Sequence, residues 1–203
     1  MSIEIKLSKK RISYKKAMLF LHKRVEEVKN GDNKELIWVL EHPKTYTAGV
    51  SFKQNEIIDK KIKIIKTNRG GKITLHNPGQ KIIYFVINLN NRKKDIRKLI
   101  NAIEVSIIEF LKNLKIKARK DINNIGIWVN EKKIAAIGLR VSRWIAFHGF
   151  SINISNNLKE YLKIIPCGLD NKKITSIYFE KKTIPRNFEK ILVKILIKNI
   201  NKI

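Results

Sequence analysis

The stretch Arg69-Gly70-Gly71-Lys72-Ile73-Thr74-Leu75-His76-Asn77-Pro78-Gly79-Gln80 governs the arrangement of the residues around it. Its glycines let the backbone approach a ligand or another strand closely, and its Lys, Thr, His and Gln side chains provide polar groups. Apolar runs flank the stretch at residues 62–65 and 82–87, and each run predicts a β-strand. We therefore expect a glycine-rich binding loop that is held by a sheet.

Helices are predicted on both sides of this loop. Apolar residues recur at helical spacing after Tyr14, and the pattern stops at Gly31, a common signal for a helix C-terminus. A longer apolar stripe follows Asp95 and predicts a second helix that packs on the sheet. A last amphipathic segment begins at Pro185, with Thr183 near its cap position, and suits a helix or a strand.

Further strands complete the pattern. Apolar runs and alternating residues predict strands at residues 35–40, 125–129, 133–139, 143–154 and 174–177. The second and third of these form a hairpin. No repeat and no Ser- or Pro-rich linker interrupts the chain, so we expect a single domain over residues 1–203. The predicted fold class is α/β (α+β), a mixed β-sheet flanked by helices.

The length and composition agree with a soluble domain. A chain of 203 residues buries roughly 70% of its unfolded surface, enough for a dry core and a pocket. The single cysteine excludes an internal disulfide, and the N-terminal residues do not form the apolar centre of a signal peptide, which favours a reducing, cytoplasmic setting. No apolar run approaches the ~20 residues that span a bilayer, so no membrane partner is expected.

The net charge of +27 has three interpretations. Lysine supplies most of it, spread along the whole chain and accompanied by much Ile and Asn, which is typical of genes rich in A and T codons. We favour this composition bias, with the lysines on solvated faces. The alternatives are electrostatic steering of acidic protein partners and binding to nucleic acid.

The only cysteine is Cys167, in the sequence Ile165-Pro166-Cys167-Gly168. A lone cysteine is most often a small buried hydrophobic residue. Here, however, Pro166 and Gly168 favour a turn that presents the thiol beside a pocket, which suggests acyl-thioester chemistry. A free thiol has a pKa of ~8.5, so a nucleophilic role requires a neighbouring cation or base.

Lys133 is the strongest candidate for that cation. It begins the run Lys133-Ile134-Ala135-Ala136-Ile137-Gly138, which is otherwise free of charge and whose small residues leave room for a ligand near the backbone. A catalytic lysine is expected where burial lowers a lysine pKa. On this run alone an exposed lysine at a strand end is the more common situation, and His42, His76 and His148 are also available as bases.

Several motifs together resemble one family. They occur in order along nearly the full chain: Glu41-His42-Pro43 with Tyr46-Thr47-Ala48-Gly49, the loop from Arg69 to Gln80, Lys133 to Gly138, Trp144 with His148-Gly149, and Pro166-Cys167-Gly168 with Thr175-Ser176. This set resembles the lipoyl(octanoyl) transferases. A single glycine-rich loop would be weak support, whereas five ordered blocks are specific.

The resemblance implies a fold and a mechanism. The fold is the catalytic domain of biotin and lipoate protein ligases. In that family a cysteine takes the octanoyl group from octanoyl-acyl carrier protein as a thioester and passes it to a lysine of an apo lipoyl domain, the first step of endogenous protein lipoylation. Cys167 stands at the nucleophile's position, and Lys133 stands at that of the lysine that lowers the thiol pKa and handles protons. No cofactor and no metal are implied.

The resemblance also implies the walls of an acyl-binding slot. They comprise Arg69, Gly70, Gly71, Lys72, Ile73, Thr74, Leu75, His76, Ala136, Ile137, Gly138, Gly149, Phe150 and Ser151. Two residues depart from the family pattern, because Leu75 replaces an aromatic residue and Asn77 a glycine. We expect Leu75 to alter the slot and Asn77 to adopt positive φ, which Asn tolerates. His76, His148 and Thr74 are pocket residues that either donate hydrogen bonds to an oxyanion or are structural.

The implied partners are octanoyl-acyl carrier protein and the apo lipoyl domains of 2-oxoacid dehydrogenase complexes and glycine cleavage H protein, with a monomeric enzyme and no nucleic acid. Three alternatives stay open. A lipoate-protein ligase shares the fold but must form an acyl-adenylate and needs no thiol. A nucleic-acid-binding module would interleave aromatic residues on one basic face, and few are present. An inactive scaffold would not require both Cys167 and Lys133.

Overall fold

The computed structural model describes residues 2–121, 124–166, 173–184 and 186–203. The helices in these ranges are α1 (Tyr14–Asn30), α2 (Ile96–Asn113), α3 (Ile177–Lys181) and α4 (Phe188–Ile200). The strands are β1 (Ile3–Leu7), β2 (Glu35–Leu40), β3 (Thr45–Ala48), β4 (Ile64–Lys66), β5 (Ile73–His76), β6 (Gln80–Asn88), β7 (Arg119–Lys120), β8 (Ile127–Val129), β9 (Lys132–Ser142), β10 (Ile145–Asn153) and β11 (Lys173–Ile174).

Most of the described strands join one mixed sheet in the order β1-β2-β6-β10-β9-β8-β7, and β11 also pairs with β9. The outer pairs β1/β2 and β9/β11 are parallel, whereas the pairs from β2 across to β7 are antiparallel. Every residue of β2 and β10 is buried, because both faces of the sheet are covered. A small second sheet has the order β4-β3-β5. The predicted fold class is confirmed.

Helices cover both faces of the main sheet. Phe110 of α2 and Leu196 of α4 pack with Phe85 of β6 on one face. Leu21 of α1 packs with Tyr84 of β6 on the other. Phe85 and Tyr84 are neighbours in sequence, and successive strand side chains point to opposite faces, so β6 contributes to both cores.

Local signals explain where the two long helices begin and end. The Ser13 side chain caps α1 by accepting from Lys16 N at 3.4 Å, and Gly31 ends the helix with a left-handed φ of 84°. The Asp95 side chain caps α2 by accepting from Lys98 N at 3.0 Å. Both helices, the strand at 35–40 and the hairpin formed by β8 and β9 are confirmed.

Two local predictions were wrong. Residues 73–76 form strand β5 inside the stretch that we expected to be a loop, because they pair with β3 in the second sheet. Ile177 begins α3 instead of continuing a strand, since the Ser176 side chain caps this helix by accepting from Phe179 N at 3.2 Å. Strands β1, β3 and β7 were not predicted.

The last amphipathic segment is the helix α4. Asn187 is the residue that precedes it, so Thr183 does not occupy its cap position, and Pro185 lies outside the described residues. Among the described residues, no helix combines the length and the apolar character needed to cross a bilayer.

A buried ion pair joins the start of β2 to the turn that follows β6. Arg92 donates through both terminal nitrogens to the Glu35 carboxylate, and its Nη2 lies 2.7 Å from Oε2. Asn88 N donates to the same carboxylate at 2.7 Å. The side chains of Arg92 and Glu35 are 6% and 7% exposed, so loss of either leaves the other charge buried.

We predict that Arg92→Ala destabilises the protein by roughly 3 kcal/mol, because the Glu35 carboxylate then stays buried without its counter-ion. Urea unfolding followed by tryptophan fluorescence measures this loss. The matched control is Arg119→Ala, which breaks an ion pair with Glu131 at 3.0 Å whose side chains are 48% and 78% exposed, and which is expected to cost less than about 1 kcal/mol. Equal losses in the two variants would contradict the prediction.

Candidate active site

The Arg69 guanidinium shapes the glycine-rich segment between β4 and β5. It donates to the carbonyl oxygens of Thr47 at 2.9 Å, Lys72 at 2.9 Å and Gly70 at 3.0 Å. Gly70 N in turn donates to Leu139 O of β9 at 3.0 Å. Arg69 is only 9% exposed, so a buried cation organises the backbone on this side of the site.

Two glycines allow backbones to meet where a side chain would not fit. A Cβ on Gly49 would lie 2.2 Å from Gly71 O, and a Cβ on Gly149 would lie 2.0 Å from Ile83 O. Real Cβ atoms do not approach other atoms so closely. The Arg69 segment therefore closes directly onto the end of β3, and β10 closes onto β6.

A slot lies between the Arg69 segment, β9 and β10, beside the first residue of α1. Its cavity volume is about 60 Å³, the space of roughly five water molecules. All predicted wall residues except Leu75 line it: Arg69, Gly70, Gly71, Lys72, Ile73, Thr74, His76, Ala136, Ile137, Gly138, Gly149, Phe150 and Ser151. The sequence patterns did not identify three further lining residues, Tyr14, Ile82 and Tyr84.

The two departures from the family pattern lie outside the slot. Leu75 is fully buried in a separate core cluster with Tyr46 and Tyr161, so its side chain does not reshape the slot as we expected. Asn77 does not have positive φ. The positive φ of this turn is at Gly79, at 86°, and the Asn77 side chain instead donates to Asn157 O at 2.9 Å.

Lys133 does not line the slot itself but lies beside one end of it. A smaller cavity of about 10 Å³ is lined by Lys133, Tyr161 and Pro166, and it shares Thr74 and Ser151 with the slot. Cys167 follows Pro166 directly, but Cys167 and Gly168 lie outside the described residues. The structure therefore leads the chain up to this end of the slot, while the predicted contact between Cys167 and Lys133 stays a prediction.

The Lys133 ammonium is buried, with the residue 5% exposed. Its Nζ donates to Ile125 O at 3.0 Å and lies 4.9 Å from the centroid of the Trp128 ring. Within the described ranges no carboxylate forms an ion pair with it. A buried cation held by a carbonyl and a ring face favours a neighbouring anion, which a thiolate would supply.

A cluster of aromatic and imidazole rings lies on the α1 side of the slot. The His42 ring lies 5.4 Å from Tyr14, 5.5 Å from His76 and 5.7 Å from Tyr84, and Tyr84 lies 6.3 Å from His148, all between ring centroids. Burial lowers the pKa of His42 to about 4 and that of His76 and His148 to about 3. All three imidazoles are therefore neutral near pH 7.

Hydrogen bonds assign the tautomer of each neutral ring. His42 donates from Nδ1 to Ile12 O at 2.5 Å and accepts at Nε2 from the Tyr84 hydroxyl at 2.9 Å. His76 donates from Nδ1 to Gln80 Oε1 at 2.9 Å. Because that proton is the only one on the neutral ring, His76 has no proton left for an oxyanion and can only accept through Nε2.

His148 reaches the slot because its backbone is unusual for a strand. Its φ is 67°, a left-handed value that breaks the alternation of β10. Its ring stacks on Phe147 at 5.0 Å between centroids, on the α1 side of the sheet. Its Nε2 donates to Asn68 Oδ1 at 3.2 Å, so a buried unprotonated Nδ1 remains, with no partner among the described residues. The sequence His148-Gly149 suggested a break in the strand, but β10 continues through both residues, which pair with β6 and β9.

Comparison with known proteins identifies the class. Residues 13–194 match the family model of the lipoyl protein ligase A/B catalytic domain. A bipartite lipoate protein ligase from Thermoplasma acidophilum superimposes with a TM-score of 0.73 at 14% identity, over 98% of this chain and 85% of that one. At that identity the likeness shows a shared fold.

Relatives with higher identity narrow the class. An octanoyltransferase of Ehrlichia chaffeensis is 42% identical over 181 residues, which cover 86% of this chain and 85% of that protein. An octanoyltransferase of Wolbachia sp. subsp. Brugia malayi is 42% identical over 180 residues, covering 86% and 88% of the two chains. The chain therefore belongs to the octanoyltransferases, acyltransferases within the lipoyl protein ligase A/B catalytic domain family.

The neutral histidines predict a pH dependence of stability. Their folded pKa values lie below the ordinary 6.5, so below pH 6.5 the unfolded chain binds protons that the folded chain does not. The free energy of unfolding is thus at its full value above about pH 6.5 and falls toward pH 4, by about 1.4 kcal/mol per pH unit for each histidine.

Chemical denaturation at several pH values between 6.5 and 4.5 tests this dependence. Carboxylates, with an ordinary pKa of 4.5, contribute little in that window. His76→Gln is expected to make the slope shallower by about 1.4 kcal/mol per pH unit, whatever it does to stability at pH 7. Equal slopes in His76→Gln and the wild type would contradict the assignment.

Proposed function

We propose that this protein transfers an octanoyl group from octanoyl-acyl carrier protein to the lysine of apo lipoyl domains, through a thioester on Cys167. The observation that carries the proposal is the slot with buried Lys133 at one end, because the described chain reaches that same end at Pro166, the residue before Cys167. The octanoyltransferase relatives support the choice of acyl group.

The slot suits an acyl chain whose carbonyl lies at the Lys133 end. Backbone at Gly70, Gly71 and Gly138 forms much of the wall, while Ile73, Ile137 and Phe150 supply apolar side chains. Each buried methylene contributes about 0.8 kcal/mol, so a slot of fixed length selects a medium chain. One methylene more or less discriminates only about 10- to 200-fold, so neighbouring chain lengths are expected to react slowly.

The reaction consists of two acyl transfers. In the first, the Cys167 thiolate attacks the thioester carbonyl, the new carbon–sulfur bond forms, and the carrier thiol leaves with a proton. In the second, the amine of the acceptor lysine attacks the Cys167 thioester, loses a proton and releases the Cys167 thiolate. Lys133 Nζ is the group that stabilises the thiolate and holds or returns these protons. No further reactant is required, since the thioester itself is the activated acyl donor.

The principal alternative is a ligase that activates a free acid with a nucleotide. The fold does not separate the two, because the structural neighbour is a lipoate protein ligase. The thiol does separate them, since a ligase passes the acyl group from an adenylate and has no need of Cys167. Transfer from octanoyl-acyl carrier protein in the absence of ATP therefore discriminates between the two functions.

We predict a hydroxylamine-labile mass increase of one octanoyl group after incubation with octanoyl-acyl carrier protein. Cys167→Ser should abolish the labile adduct and normal turnover, because the chain has no other thiol. Intact-protein mass spectrometry measures the adduct. Transfer by Cys167→Ser at the wild-type rate would rule out the mechanism.

Lys133→Ala should slow transfer by at least ~10²-fold and shift the alkylation of Cys167 to higher pH, if the ammonium stabilises the thiolate and moves protons. The matched control is Lys132→Ala. Lys132 is adjacent but its Nζ lies 5.0 Å from the centroid of the exposed Phe179 ring, so its loss should leave both measurements unchanged. If the two variants behave alike, Lys133 is not the partner of Cys167.

The proposed donor is octanoyl-acyl carrier protein. The proposed acceptors are the lipoyl domains of 2-oxoacid dehydrogenase complexes and glycine cleavage H protein. We propose that the enzyme acts as a monomer in the cytoplasm. Such partners are typically acidic, so the charge of +27 gives them an attractive field. Nucleic acid is not proposed as a partner. A bias toward A- and T-rich codons alone would produce the same lysine content without any effect on the rate at which the enzyme meets its protein substrates.

If steering operates, kcat/KM for octanoyl-acyl carrier protein falls as ionic strength rises, whereas turnover of a small uncharged octanoyl thioester hardly changes. Steady-state kinetics between low and high salt compare the two donors. A parallel loss for both donors would mean that salt acts on the enzyme itself, and no response of either would leave composition bias as the explanation.

A further inference from the structure

The slot has a second end that borders a different space. At the Lys133 end it shares Thr74, Ala136 and Ser151 with the small cavity. At the other end it borders a groove on the protein surface, and the residue that lines both slot and groove is Tyr14. Among the described residues, Tyr14 is therefore the one that the slot and the groove have in common.

The groove beyond Tyr14 is large and partly apolar. Its cavity volume is about 620 Å³, about ten times that of the slot. Met18 and Leu19 lie one turn of α1 beyond Tyr14 and line it together with Ile65. Leu19 is 63% exposed and Ile65 is 42% exposed. Apolar surface is thus available in the groove just outside the slot, on the other side of Tyr14.

Tyr14 is held by packing and by its position at the start of α1. It is the first residue of that helix, and its ring stacks on His76 with centroids 6.2 Å apart and an interplanar angle of 13°. Its buried hydroxyl lies near the Thr67 side chain, which also lines the groove, and makes no hydrogen bond of 3.5 Å or less among the described residues. The stacked ring is therefore the main packing contribution of Tyr14.

We propose that the Tyr14 ring is the end stop of the acyl slot and sets the longest chain that the enzyme transfers efficiently. The inference rests on the function proposed above, in which the acyl carbonyl lies at the Lys133 end. The lining of the slot gives the direction, because Thr74, Ala136 and Ser151 are shared with the cavity of Lys133 and Tyr14 is shared with the groove. An acyl chain whose carbonyl lies beside Lys133 therefore extends toward Tyr14.

The stop has a kinetic signature. An acyl chain longer than the slot either displaces the ring or keeps its carbonyl away from the position beside Lys133. For such a chain we expect a large decrease in kcat and a smaller increase in KM. When the ring is removed, the slot opens into the groove. Each added methylene then gains apolar contact with Met18, Leu19 or Ile65, which raises kcat/KM by about fourfold.

The test compares octanoyl-, decanoyl- and dodecanoyl-acyl carrier protein as donors for the wild type, Tyr14→Ala and Tyr14→Leu. We expect the ratio of kcat/KM for dodecanoyl to octanoyl transfer to rise at least ~10-fold in Tyr14→Ala, with a smaller rise in Tyr14→Leu. Tyr14→Leu keeps more of the packing, so it serves if Tyr14→Ala is unfolded by circular dichroism. Tyr14→Phe is expected to restore the wild-type ratio, because it keeps the ring.

A second substitution locates the gain in the groove. In the Tyr14→Ala background, Leu19→Glu places a charge on the apolar surface and should lower the ratio again. Val105→Glu is the matched control, at a position of α2 that is 40% exposed and does not line the groove, and the double variant Tyr14→Ala, Val105→Glu should keep the high ratio.

The outcomes separate the inference from the proposed function. If the wild type does not transfer octanoate at all, the proposed function fails. If the wild type transfers octanoate and the folded Tyr14 variants keep its chain-length ratio, the function stands and the end stop is overturned. A raised ratio that Leu19→Glu does not lower would also overturn the inference, because the longer chain would then lie elsewhere.

Discussion

The buried Arg69 guanidinium is the interaction on which the site depends. Its donors bind carbonyl oxygens of β3, of its own segment and of the residue before β5, so one cation joins the second sheet to the segment that forms a wall of the slot. Without these bonds the buried Thr47 oxygens would lose a charged donor, and the Gly70 and Lys72 oxygens would each lose a hydrogen bond. The close approach at Gly49 and the bond from Gly70 to β9 both require this segment to keep its path.

The charge of Arg69 also influences the protonation of the imidazoles beside the slot. Burial lowers the pKa of His76 and His148 first, and the positive charge of Arg69 lowers both further. Neutral imidazoles are the form that can lie beside an apolar chain at small desolvation cost. They also have fixed protons, because His42 and His76 donate to Ile12 and Gln80. The result is that His42, His76 and His148 form an uncharged surface on the α1 side of the slot, although their side chains are polar.

The sequence predicted the parts of the fold that have strong local signals. The helix that ends at Gly31 and the one that follows Asp95 have caps and regular apolar stripes, and β2 is a continuous apolar run. It did not predict β3 and β5, since these short strands contain Thr and His and depend on pairing within the second sheet, where β3 lies between β4 and β5. The helical spacing of apolar residues assigned Tyr14 to a helix, but it did not reveal that Tyr14 also contacts His42 and His76, which lie far away in sequence.

The predicted site was carried by motifs, and the structure adds reasons for their composition. Gly149 is required because β6 passes too close for any side chain, and the left-handed His148 before it turns an imidazole toward the slot. These effects depend on two strands that lie far apart in sequence and pair in the sheet, so no local pattern reveals them. Leu75 illustrates the opposite error, because its place in a motif suggested a role in the slot, and its side chain packs in a separate core.

Lys133 shows why the fold alone does not decide the reaction. A ligase and a transferase of this architecture both have reason to hold a cation at the end of a slot, one for an acid or its adenylate and the other for a thiolate. In this chain the ammonium is held by one carbonyl and a tryptophan ring. A buried cation of this kind is stabilised by an anion that forms beside it. Pro166, which precedes the only thiol in the sequence, lines the same small cavity as Lys133, so the surroundings of Lys133 and the sequence position of the cysteine both favour the proposed thioester chemistry.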